Sequence, residues 1–112
     1  MLVGARHSWD LGYQAELRTM QRLVPEFTFL PIVSRPAEEP TPWGGHTGHV
    51  QSLWTGGALE KAWGRKPTPE DTHVFLCGNP AMIEGMEVQL GGEGYLVHEK
   101  ARPGQIHVEK YW

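Results

Sequence analysis

The run Thr72-His73-Val74-Phe75-Leu76-Cys77-Gly78-Asn79-Pro80-Ala81-Met82-Ile83 joins a short apolar stretch to a thiol, a glycine and the start of a helix. Ligands of α/β sheets bind beyond the carboxyl ends of strands. A helix N-terminus at the same point offers unpaired N–H groups and partial positive charge to an anionic group. Other residues with chemical capacity stand at comparable places. Arg6 follows the apolar run Met1-Leu2-Val3-Gly4-Ala5, and Ser34-Arg35 follows another that ends at Val33. A guanidinium grips phosphate through paired charge-assisted hydrogen bonds that lysine does not reproduce, and serine adds a hydroxyl donor. His46 and His49 stand three apart in a glycine-rich stretch. Two histidines are a start on a metal site, but no third ligand completes it, and no metal is expected. The chain closes on Glu109-Lys110-Tyr111-Trp112, where an aromatic pair is suited to stacking on a flat ring system.

Each of these residues also has a plainer reading. Arg6 can be a solvated arginine at a strand end, and Ser34-Arg35 a polar loop start before Pro36. His49 can lack any ligand contact. Cys77 can be a buried structural thiol, which free cysteines commonly are. Met82 can be core, and the aromatic tail can pack on its own sheet. No triad-like arrangement pairs Cys77 with a histidine.

Periodicity and turn chemistry outline the elements that must position these groups. Met1 to Ala5 reads as a buried strand, and Ser8 as the N-cap of a helix running from Trp9 to Leu23. Phe27 to Val33 is a second strand, with Pro31 weakening its middle. Ser34 to Gly45 is a proline-rich loop. Val50 to Trp54 and Ala58 to Trp63 are short helical pieces broken at Gly56-Gly57. Val74 to Leu76 is a strand, and Pro80 to Leu90 a helix with proline at a favoured first position. Tyr95 to His98 and Ile106 to Val108 are further short strands around an Arg102-Pro103-Gly104 turn. Strands alternating with helices predict a mostly parallel sheet.

Composition narrows the function classes. With 112 residues, 39% of them apolar, the chain has the make-up of one globular domain. A net charge of −3 argues against bulk electrostatic binding to nucleic acid or an anionic membrane. One cysteine forbids an internal disulfide and points to a reducing cytoplasm. No apolar segment is long enough to span a bilayer, and the start lacks a signal-peptide pattern. Trp9, Trp43, Trp54 and Trp63 read as packing residues.

Taken in order, these motifs resemble the nucleotide-binding domain of bacterial ferredoxin–NADP reductases over nearly the whole chain. Leu2 to His7 with Leu11-Gly12-Tyr13 is similar to that domain's second strand and following helix, and Val33-Ser34-Arg35 to the end of its next strand. His46-Thr47-Gly48-His49-Val50 resembles a Thr-Gly-Arg segment, with His49 standing where arginine is usual. Glu70 to Ile83 is the strongest match, and Arg102 to Trp112 resembles the bacterial C-terminal tail. The family's N-terminal FAD-binding barrel has no counterpart here, nor does the opening strand with its Gly-Thr-Gly-type turn, which in the family lies mid-sheet.

The resemblance implies an α/β fold: a partial three-layer parallel sheet lacking its first strand, with residues 1–112 as a partial NADP-binding domain. It implies that Arg6, Ser34, Arg35 and His49 meet the adenosine phosphate of NADP(H). Gly78, Asn79, Pro80 and Met82 then shape the nicotinamide pocket. Cys77, Glu109 and Tyr111 take catalytic positions beside nicotinamide and flavin, and Trp112 is associated with the adenine of FAD. In its neutral form imidazole offers a single donor, so His49 leaves NADPH and NADH poorly discriminated. A complete reductase carries hydride between NADPH and FAD and passes electrons to ferredoxin or flavodoxin. This chain alone is expected not to catalyse that reaction. It is expected to form a homo-oligomer or to pair with a complementary half; the alternative is a non-catalytic nucleotide-binding or dimeric interaction protein.

Overall fold

The structure, a computed structural model, describes residues 1–110. It falls into two compact units, Met1–Lys66 and the stretch from Pro67 onward. In the first unit, β1 (Leu2–Ala5), β2 (Leu30–Val33) and β3 (His46–Thr47) lie side by side in that order. All are parallel, with Leu2 opposite Leu30, Ala5 opposite Val33 and Ile32 opposite His46. Pro31 therefore sits in the middle strand, where a missing N–H is normally costly. It is accommodated because Leu30 donates its N–H to Met1 on the β1 side. By alternation Pro31 turns the other way, and β3 reaches β2 only at Ile32 and Val33.

The helix α1 (Gln14–Leu23) starts later than its apolar spacing predicts. Ser8 does not cap it. Ser8 opens a short 3-10 turn, Ser8–Asp10, and its N–H and hydroxyl both donate to Glu39. Tyr13 precedes α1 in a left-handed conformation, with no side-chain cap. Of the apolar residues on the expected stripe, Leu11 is buried, whereas Met20 and Leu23 are exposed. Two short helices, α2 (Val50–Thr55) and α3 (Ala58–Trp63), break at Gly56-Gly57 as expected. A Cβ at Gly4 would lie 3.2 Å from that of Val50, so the bare glycine lets α2 rest closely on β1. Phe29, Ile32, Val33, Leu53 and Leu59 are also buried in this unit.

In the second unit, β4 (Val74–Gly78) pairs in parallel with β5 (Ile106–Lys110), and α4 (Pro80–Gly92) connects onward from β4. Ile83, Met86 and Leu90, spaced for one helix face, are the buried residues of α4. Leu76, Tyr95 and Ile106 are buried with them. The expected strand over Tyr95 to His98 is reduced to a single bridge, Val97 with Ile106. The chain turns between Glu99 and Arg102, ahead of the expected Arg102-Pro103-Gly104. The described strands thus make two small parallel sheets, of three and two strands. The fold is α/β. Tyr111 and Trp112 lie outside the described residues.

Candidate functional site

In the first unit the sheet's carboxyl end gathers the phosphate-directed candidates. Parallel register sets the positions. Ser34 donates its N–H to Ala5 and Arg35 donates to Arg6, both at 2.9 Å; Gly48 donates to Val33 at 2.9 Å. The residues leaving β1, β2 and β3 therefore come off at adjacent points, although 28 positions separate Arg6 from Ser34 and 43 separate it from His49. Arg6, Arg35 and His49 are exposed, and Ser34 is half-buried. His49 stands at the N-cap position of α2. Its carbonyl accepts from the hydroxyl of Ser52 at 2.7 Å. Gly48 adopts φ +124, a backbone that favours glycine there.

The same corner holds three carboxylates that the sequence reading did not single out. Glu38 lies in a 3-10 turn, Pro36–Glu38, directly after Arg35. Its carboxylate is 3.8 Å from Nη1 of Arg35 and 3.3 Å from Nε2 of His7. Asp10 stands 3.3 Å from Nδ1 of that same ring. Glu39 accepts the N–H of Ser8 at 2.9 Å and its hydroxyl at 2.5 Å. Those two hydrogen bonds, chiefly the hydroxyl's, hold the Glu39 carboxyl below its ordinary value. Trp9 stacks on His7 at 4.3 Å. Local spacing offered one signal: an acid three residues after Arg35, across a proline that starts a turn.

In the second unit, Cys77 and Glu109 are register partners in the β4–β5 pair. Both are exposed, so Cys77 is not the buried thiol of the plainer reading. They line a shallow cavity of about 150 Å³ with Phe75, Leu76, His107 and Val108. Gly78 has φ +155, and a Cβ there would come within 2.7 Å of Cε of Met82. Asn79 caps α4, accepting the Met82 N–H at 2.8 Å, and Pro80 occupies the first turn. Gly78, Asn79, Pro80 and Met82 are thus brought together at the end of β4. Of the tail candidates Glu109 is placed, while Tyr111 and Trp112 lie outside the described residues.

One cluster on this sheet had no sequence signal. His73 and His107, 34 positions apart, meet at 3.0 Å between Nδ1 and Nε2. His98 lies against the same His107 ring at 4.8 Å. Loss of solvent, then the neighbouring His98 and His73, pushes His107 below the usual imidazole value. Among the described residues no group of three or more His, Cys, Asp or Glu is arranged to hold a metal.

Parallel strands with arginines at the carboxyl end of one sheet, and a Cys-Gly-Asn-Pro strand-to-helix turn on the other, are features of the α/β nucleotide-binding class. The comparisons give the family. Residues 1–87 match the family described as oxidoreductase NAD-binding domain, and the chain belongs to it. It is 33% identical over 109 residues to a flavodoxin/ferredoxin–NADP reductase of Shigella flexneri, covering 96% of this chain and 43% of that one. It is 32% identical over 109 residues to the flavodoxin/ferredoxin–NADP reductase of Escherichia coli, covering the same shares, 96% and 43%. A crystal structure of a ferredoxin NADP+ reductase from Neisseria gonorrhoeae, with bound FAD and NADP, superposes with a TM-score of 0.81 at 26% identity, covering 98% of this chain and 43% of that one. The chain thus spans less than half the length of the reductases it matches. No helix among the described residues is long and apolar enough to cross a membrane.

Proposed function

We propose that this chain is the nicotinamide-dinucleotide-binding portion of a ferredoxin/flavodoxin–NADP reductase-like flavoprotein, acting in the cytoplasm. In this reading Arg6, Ser34, Arg35 and His49 hold the adenosine-phosphate end. Gly78, Asn79, Pro80 and Met82 shape the nicotinamide end, beside Cys77 and Glu109. The observation that carries the reading is the Arg35-to-Arg6 backbone bond, which sets two guanidinium-bearing residues at one sheet end. Two such groups suit phosphate, and half-buried Ser34 adds a neutral donor. The nucleotide, when bound, supplies the hydride chemistry; the protein's part is to bind and orient it. At the second end the capped turn holds its own geometry. The bare Gly78 lets the Met82 side chain lie over the backbone, leaving Cys77 and Glu109 open to solvent on neighbouring strands. The exposed thiol is read as positioning a ring rather than attacking it. The test is calorimetric titration with NADPH and NADH. Binding by the wild type and its loss by about tenfold or more in an Arg6→Ala/Arg35→Ala variant is the expected result. Equal binding by both proteins would refute the assignment.

A second reading rests on the sheets. β1 pairs with β2 and β4 with β5, and neither has a strand on its other side among the described residues. Unpaired strand edges carry backbone donors and acceptors that favour another chain. We therefore also propose a homo-oligomer, or a complementary chain that supplies a strand, with ferredoxin or flavodoxin as the electron partner of the whole assembly. FAD is the flavin of that assembly, and the described residues are read as lacking a complete site for it.

A further inference from the structure

We infer that Glu38 selects against a 2′-phosphate at the adenosine end of the site, so that the chain accepts NADH at least as well as NADPH. The inference rests on the nucleotide-binding reading above. A pocket for a phosphate dianion should carry an excess of positive charge. Here Arg35 has the carboxylate of Glu38 beside it, and Asp10 and Glu39 are held nearby by His7 and Ser8. Two of these are committed elsewhere: Asp10 to His7, and Glu39 to the N–H and hydroxyl of Ser8. Glu38 is the one that opposes a guanidinium. One of its oxygens lies 3.8 Å from Nη1 of Arg35 and the other 3.3 Å from Nε2 of His7. A phosphate gripping Arg35 must displace this carboxylate or sit beside it, with like charges in contact. A ribose hydroxyl meets no such penalty, because a carboxylate accepts its proton in a hydrogen bond. In dinucleotide-binding folds an acid on the ribose 2′-hydroxyl accompanies NAD, whereas an arginine accommodates the 2′-phosphate of NADP. His49 adds ring nitrogens but not the permanent charge of a guanidinium. Arg35 and Glu38 are each half exposed, at 50% and 54%, so solvent screens the effect and selection is modest.

The experiment is calorimetry of the full chain with AMP and with 2′-phospho-AMP at one ionic strength, on wild type, Glu38→Gln and Glu38→Lys. The expected wild-type result is AMP bound at least as tightly as 2′-phospho-AMP. Glu38→Gln should move the ratio toward 2′-phospho-AMP by about threefold to tenfold, and Glu38→Lys by more. Two variants of opposite severity keep the readout available if one folds poorly. An unchanged ratio in both, with both ligands still bound, would overturn the role of Glu38 while the binding reading stands. A wild type that binds 2′-phospho-AMP more tightly than AMP would do the same. No heat from either ligand with any of the three proteins would overturn the binding reading and this inference together.

Discussion

At the scale of single residues, Glu39 and His107 each give stability a dependence on acid. The Glu39 carboxyl, held low by Ser8, is a group whose folded value lies below its unfolded one. Its stabilisation is complete above the ordinary carboxylate range and is lost as pH falls through the lowered value. Ser8→Ala removes the hydroxyl donor, so the variant should lose stability near neutrality and show a shallower further loss on acidification. Urea midpoints at about pH 6 and about pH 3 would measure this. His107, also lowered, has the same sign for a different reason: a base that resists charging in the folded state. The β4–β5 pair should weaken as pH falls below the ordinary imidazole value of about 6.5. In an NMR titration His107 should move back up toward that value in a His73→Ala/His98→Ala variant. No movement would mean that burial alone sets it.

At the scale of elements, the turn from β4 into α4 is the most determined part of the chain. Asn79 satisfies an otherwise orphaned helix N–H and Pro80 presets the first turn. Asn79→Ala should cost about 1 kcal/mol in chemical denaturation. Gly78→Ala faces both a backbone conformation that disfavours side chains and the Met82 methyl at 2.7 Å. It should cost about 1–3 kcal/mol and, with Met82 displaced, weaken nucleotide binding as well. This turn was legible because each signal in it is local: a strand-ending glycine, a cap, and a proline at the right place. The N-terminal helix shows the opposite case. Ser8 is a good cap by type, but its hydroxyl is taken by Glu39, 31 positions away, and the helix begins six residues later at Gln14.

For the whole molecule, the described strands form two small parallel sheets, each with an outer strand paired on one side only. The proposed assembly makes a direct prediction. Light scattering across a concentration series should show a mass above that of the 112-residue chain, with its share rising with concentration. A mass fixed at one chain would exclude the homo-oligomer and leave a complementing partner as the form of that proposal.

The residues alone determined the class of fold, the positions of β1, β4 and α4, and the family likeness, because period, caps and strand-end motifs are written in neighbouring residues. They also placed Arg6, Ser34 and Arg35 at strand ends. Only the tertiary structure decided which strand ends are adjacent, since register in parallel strands is set by packing across long separations. It alone turned Glu38 toward His7 as well as Arg35, and brought His73 to His107. Charge balance in a corner belongs to that level, because it depends on which side chains meet and not on how many the chain contains.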